Sequence, residues 1–160
     1  MMTHTIVDSP IGPLTLVASD GRLSGLFMEE QRHRPDPSRF GERDARSFAG
    51  ISEQLDAYFN GTLDRFEVEL AVDGTEWQKR VWAGLAAIPY GMTISYGELA
   101  ARLGSPKASR AVGLANGRNP VGIVVPCHRV VGSSGSLTGY GGGLERKRWL
   151  LDHERKVLAG

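Results

Sequence analysis

The period of the apolar residues changes once along this chain, near Asp73, and that change limits the folds open to it. Before it, TIVDSPIGPLTLVASDGRLSGLFM holds short runs of Ile, Val, Leu and Thr broken by SPIGP and SDG. This is the pattern of three antiparallel strands joined by two tight turns. EEQRHRPDPSRFGERD is polar, with two prolines, and reads as an exposed loop. Phe48, Ile51, Leu55, Tyr58 and Phe59 then recur at helical spacing up to the stop at Asn60-Gly61. FEVELAV, residues 66–72, alternates at period two and reads as one more strand.

After Asp73 the pattern is helical. Thr75 is placed to cap a helix that carries Trp77, Val81, Trp82 and Leu85 on one face and ends before Pro89 and Gly91. SYGELAARLG reads as a short helix capped by Ser95, with Glu98 three residues on and Gly104 as its stop. SPKASRAVGLANGRNP predicts another, starting at Ser105 with Pro106 in the first helical position. Two short helices joined by a tight turn outline a helix-turn-helix, although many helical cores contain such a pair. Leu144, Trp149 and Leu150 mark a terminal amphipathic helix. The expected class is α+β. A small antiparallel sheet with a helix over residues 1–73 precedes a mostly helical unit over 74–160.

Charge divides at the same place. Residues 1–74 carry 7 Lys/Arg and 13 Asp/Glu, a net −6, and residues 75–160 carry 12 and 5, a net +7. The second unit therefore suits a polyanion. Between Ala108 and Gly117, six of ten residues are Ala, Gly or Ser, and Arg110 is the only charge. A nearly bare backbone with one long cation fits a narrow groove better than base-edge readout in the major groove. The same small residues would equally serve close packing against a neighbouring helix. No apolar run approaches the roughly 20 residues of a membrane span, and MMTHTIVDSPIG lacks the form of a secretory signal. The expectation is a soluble cytoplasmic protein.

The chain has one cysteine, Cys127 in VGIVVPCHRVVG, so it has no internal disulfide and no Cys-based zinc site. IVV reads as a buried strand that ends at Pro126, which cannot donate a ladder hydrogen bond. In a regular strand Cys127 and His128 would point to opposite faces. For His128 to act on the thiol, the backbone must turn at Pro126 or a water must bridge the two. A free thiol is only a few per cent ionised at neutral pH, so a nucleophile needs a nearby base or cation, and His128 and Arg129 are adjacent. A carboxylate would orient the base, chosen from Glu76, Glu98, Glu145, Asp152 and Glu154. The residue types also allow a cysteine that is only packed and a histidine satisfied at a strand end.

PCHRV, with Asn119-Pro120 and RAVG upstream and YGGG downstream, resembles the O6-alkylguanine–DNA alkyltransferases, the methylated-DNA–protein-cysteine methyltransferases. The resemblance covers nearly the whole chain and is strongest from Trp77 to Glu154. In the first half it rests on a SPIGPL-like hairpin. It implies a ribonuclease H-like first domain, a winged-helix-like second one, and a suicide transferase that acts once on alkylated guanine in duplex DNA, and on O4-alkylthymine as well. Cys127 matches the alkyl acceptor, and His128 the base that acts through a water. Glu154 matches the carboxylate behind it, and Asn119 the residue that holds the turn and positions the thiol. Tyr96 matches the proton donor to guanine N3. Arg110 matches the finger that fills the duplex after base flipping, on a minor-groove helix that includes Ala108, Ser109, Ala111 and Gly113. Val130, Tyr140 and Gly141 match the guanine pocket, where some relatives have serine at 141.

The resemblance further implies no metal or organic cofactor, and a monomer on double-stranded DNA, with or without cooperativity. Zinc-binding cysteines found in some relatives are absent here. Two other classes compete with this reading. A non-enzymatic lesion-sensing module would replace the acceptor cysteine, which is intact. A cysteine hydrolase would need an oxyanion hole that nothing in the sequence indicates.

Overall fold

A computed structural model describes residues 1–160. The first three strands are β1 (Met2–Val7), β2 (Leu14–Ser19) and β3 (Arg22–Met28), joined by the two expected turns into an antiparallel meander. The sheet order is β3-β2-β1-β4, with β4 (Glu42–Arg43) running parallel to β1. That strand lies within the segment expected to be an exposed loop. The loop is not wholly exposed either: Phe40 is buried, stacks on Phe27 at 5.7 Å and covers Val17 on the outer face of the sheet. β2, central and covered on both faces, buries five consecutive residues from Leu14 to Ala18.

Helix α1 (Ala49–Phe59) packs on the inner face through Ile51, Leu55 and Tyr58. The expected strand at 66–72 is an extended segment with one isolated bridge, Leu23 to Leu70. Its backbone bonds at Glu69 and Ala71 cover part of the β3 edge. The alternation of half-buried and exposed residues over 66–70 survives because the segment lies along a sheet edge.

In the second half, α2 (Glu76–Ala86) starts with a full capping box between Thr75 and Gln78. β5 (Ile94–Ser95) leads into α3 (Tyr96–Arg102), capped by the Ser95 hydroxyl, which accepts from the Glu98 amide at 3.0 Å. The next helix, α4 (Ser109–Gly117), starts three residues later than the Ser-Pro signal predicts. Ser105 to Ala108 form a turn instead, closed by the Ala108 amide on the Ser105 carbonyl, and Ala108 is a cap without a side-chain bond. β6 (Val130–Val131) pairs parallel with β5, and α5 (Leu144–Ala159) ends the chain. One apolar core runs from the inner sheet face through α1, α2 and α3 to Leu150 of α5. No helix is long and apolar enough to cross a membrane.

The capping box gives a direct check on how α2 is held. Thr75→Ala removes the side-chain acceptor and should lower stability by about 1 kcal/mol, measured by urea denaturation.

Candidate active site

The run before Cys127 is not a strand. Val121 to Val125 form a buried tight turn in which Ile123 adopts φ +69°, a conformation costly for a β-branched side chain. Asn119 compensates. Its Oδ1 accepts from the Val121 amide at 3.1 Å, and its Nδ2 donates to the Val125 carbonyl at 2.8 Å, so one side chain spans the turn. The turn is also docked on the sheet, where the Leu26 amide donates to the Pro120 carbonyl at 2.9 Å. The chain then bends at Pro126 (ψ 66°) into a single 3-10 turn, Cys127–Arg129. This bend removes the opposite-face geometry of a strand and buries Cys127, His128 and Arg129 together.

His128 donates from Nε2 to Glu154 Oε2 at 2.7 Å, on the assignment that fits the carboxylate, which leaves Nδ1 as the basic nitrogen. Nδ1 is buried and has no protein partner. No direct hydrogen bond joins it to the thiol. Glu154, fully buried, accepts five hydrogen bonds. Those at Oε1 come from the Gly91 amide (3.0 Å) and Arg129 Nε (2.9 Å); those at Oε2 come from His128, Arg129 Nη2 (3.0 Å) and Tyr58 Oη (2.6 Å). Burial opposes ionisation of Glu154, but the bonds and charges of His128 and Arg129 win and hold its carboxyl well below the usual range. Burial also lowers the pKa of His128, against the pull of Glu154, and keeps the imidazole neutral at pH 7.

Arg129 is therefore committed to Glu154, to the Ile88 carbonyl at 2.7 Å and to the Tyr90 ring, rather than to the thiol as its place in sequence suggests. The cation acting on Cys127 is Lys147. Its ammonium is buried, donating to the carbonyls of Val130 (2.6 Å) and Thr138 (2.7 Å) with no carboxylate partner. Burial pushes Lys147 down to about 8, partly offset by Cys127. The thiol is raised by burial, and a hydrogen bond from Asn119 and the charge of Lys147 oppose that rise. Lys147 and Tyr58 escape sequence reasoning, although Lys147 leaves a trace. Lys147, Leu150, Leu151 and Glu154 share one helical stripe, so two charges stand at core positions.

Gln31, Asn116, Gly117, Asn119, Gly122, Tyr140, Gly141 and Gly142 enclose the thiol in a cavity of about 10 Å³, room for at most one water. The Arg32 amide donates to the Gly141 carbonyl at 2.8 Å and closes its rim. Val130 does not line this space; it lies beneath Lys147. A Cβ at Gly141 would meet only ordinary contacts, so a serine there fits. At Gly142 it would run into Met28 Sδ and the Tyr140 ring, both buried, so close approach favours glycine there. Tyr96 and Arg110 line a separate open cleft of about 590 Å³ with Ser109, Gly113, Leu114 and Gly139. Burial raises the Tyr96 pKa, and its hydroxyl donates to the Thr138 carbonyl at 3.1 Å. Arg110 and Ser109 are exposed on α4, with Ala108, Ala111 and Gly113 half-buried beside them.

A family model for the DNA-binding domain of 6-O-methylguanine DNA methyltransferase matches residues 76–156, and one for its ribonuclease-like domain matches 2–72. The chain belongs to the O6-methylguanine-DNA methyltransferase family. A methylated-DNA–protein-cysteine methyltransferase of Mycolicibacterium paratuberculosis is 56% identical over 156 residues, 98% of this chain and 94% of the relative. The crystal structure of Mycobacterium tuberculosis OGT in complex with DNA superposes with TM-score 0.89 at 54% identity, covering 97% and 94% of the two chains. An O6-methylguanine DNA methyltransferase from Methanococcus jannaschii, 26% identical, superposes with TM-score 0.68 over 94% and 93%. In this member of the methyltransferase family, the imidazole and the carboxylate behind it are joined directly, while the thiol stands apart.

Removing the charge of Glu154 tests how much rests on it. Glu154→Gln leaves Arg129 buried without its counter-ion and should cost about 3–5 kcal/mol in urea denaturation at pH 7. The loss should shrink toward pH 3 and below. Glu154, with its pKa depressed by folding, contributes stability above the unfolded carboxylate pKa and loses it as pH falls, and the glutamine has nothing to lose.

Proposed function

We propose that this protein is a single-use DNA repair alkyltransferase. It moves the alkyl group from O6 of guanine in duplex DNA to Sγ of its own Cys127. The observation that carries the reading is the buried His128–Glu154 pair behind the chain's only cysteine, with the imidazole neutral and its Nδ1 free to accept a proton. A water passes the thiol proton to Nδ1, and the Lys147 ammonium stabilises the thiolate. Sγ attacks the alkyl carbon, the carbon–O6 bond breaks and a thioether forms. The departing guanine takes a proton from Tyr96 at N3. The proton on His128 returns through solvent to restore the phenol. A thioether has no easy hydrolytic exit, so each molecule acts once, and displacement by a thiolate consumes no metal or organic cofactor.

A guanine stacked in duplex DNA cannot reach a 10 Å³ cavity, so the base must flip out and the cavity must widen. Flipping costs a few kcal/mol, which Arg110 offsets by filling the gap while the small residues of α4 let the backbone approach the minor groove. Residues 1–73 and 74–160 act as two domains, the second carrying DNA contact and alkyl acceptance. The protein works as a monomer in the cytoplasm, and O4-alkylthymine enters the same pocket.

Incubation with a duplex containing O6-methylguanine should add one methyl, 14 Da, to the peptide containing Cys127 by mass mapping. Cys127→Ala should abolish transfer and still bind the duplex. A protein that binds the lesion without ever gaining the methyl would be a lesion-sensing module instead. Arg110→Ala should slow transfer from duplex by roughly tenfold or more while free O6-methylguanine reacts at an unchanged rate. Equal loss on both substrates would remove the finger role.

A further inference from the structure

Tyr58 stands 96 residues from Glu154 in sequence, on the helix of the N-terminal unit, and its hydroxyl reaches the catalytic carboxylate at 2.6 Å. Packing does not need that hydroxyl. The ring sits in an aromatic cluster with Phe59, Phe66, Tyr90 and His153, where phenylalanine would fill the same volume. A buried hydroxyl is costly unless bonded, and Glu154 Oε2 is the only polar partner this one has. Oε2 is also the oxygen that receives His128 Nε2–H.

We propose that Tyr58 is a positioning residue that shares Glu154 Oε2 with His128 and thereby holds down the basicity of the imidazole. The proposal rests on the alkyltransferase reading for its catalytic meaning only. A second donor on one carboxylate oxygen draws charge away from the first, so the imidazolium is stabilised less than a free carboxylate would stabilise it. Burial and the charge of Glu154 push the Tyr58 pKa far above the ordinary phenol value, so the hydroxyl remains a donor at every working pH. Of the other charged groups facing the pair, Lys147, held at about 8, is still protonated over the acid limb where the comparison is made. Arg129 from the 3-10 turn and Lys147 from α5 face it with positive charge, and Tyr90 from the loop after α2 lies beside it with Asp64 beyond. The N-terminal unit thus sets the basicity of His128 rather than only supporting the second half.

The test uses the full-length chain. The His128 titration is followed by NMR of the ring nitrogens, the transfer rate is measured from pH 5 to 8.5 on duplex containing O6-methylguanine, and melting is recorded. Tyr58→Phe should raise the His128 midpoint by about half a pH unit or more, and the acid limb of the rate profile should move up with it. Tyr58→3-fluorotyrosine, a stronger donor of the same shape, should move both the other way, and it decides the matter if the phenylalanine variant does not fold. A hydroxyl that serves only stability would lower melting and rate alike and leave the midpoint in place; an unmoved midpoint, or shifts of the opposite sign, overturns the proposal. Midpoints that move as expected in the variants, with a wild-type protein that transfers no methyl, would uphold the proposal about His128 and refute the alkyltransferase reading instead.

Discussion

The carboxylate of Glu154 is the interaction on which the rest of the site depends. It is fully buried, yet five donors from three parts of the chain converge on it: α1, the loop after α2, and the 3-10 turn through His128 and Arg129. A buried carboxylate lacking such partners would protonate rather than stay charged. With them it stays ionised and fixes the tautomer of His128. It also neutralises Arg129 and ties the sheet-bearing half to the helical half through a hydrogen bond. Buried ion pairs are poor sources of net stability compared with apolar packing. Placing this one in the core therefore makes sense for orientation rather than for stability.

The second constraint is the turn that carries the thiol. A strand would have separated Cys127 from His128; the bend at Pro126 and the 3-10 turn bury both. The cost is local strain at Ile123, and the repayment is visible in the two hydrogen bonds of Asn119, the bond from Leu26 and the burial of Val121, Ile123 and Val125. Asn119 spans the strained turn, and its amide beside Cys127 works against the rise that burial imposes on the thiol.

Much of this was legible in the sequence where local chemistry decides the outcome. The meander follows from SPIGP and SDG, α2 from Thr75 and Gln78, and α3 from Ser95. The acceptor turn was misread because IVV has strand composition, and nothing local announces that a β-branched residue will adopt positive φ; the pairing with Leu26 that supports it is long-range. The Ser105-Pro106 start failed for a related reason, since a turn can use the same residues. Residue types single out Cys127 and His128 and leave Glu154 one of five carboxylates; the PCHRV resemblance adds Asn119 and selects Glu154, and the structure brings His128 and Glu154 into contact and sets Asn119 at the turn. Tyr58 was read as apolar core, which is true of its ring. A hydroxyl whose partner lies 96 residues away leaves no periodic signal.

The closed cavity gives these pieces a common logic. The thiol is buried, and burial raises its pKa. Closure depends on Gln31, on the Arg32–Gly141 hydrogen bond and on a loop with five glycines between 135 and 143. That segment supplies Gly139 to the open cleft of Tyr96 and Arg110, and Gly141 and Gly142 to the thiol cavity. The Lys147 ammonium is also bonded to the Thr138 carbonyl within that loop, so the cover of the thiol and the cation near it share one segment.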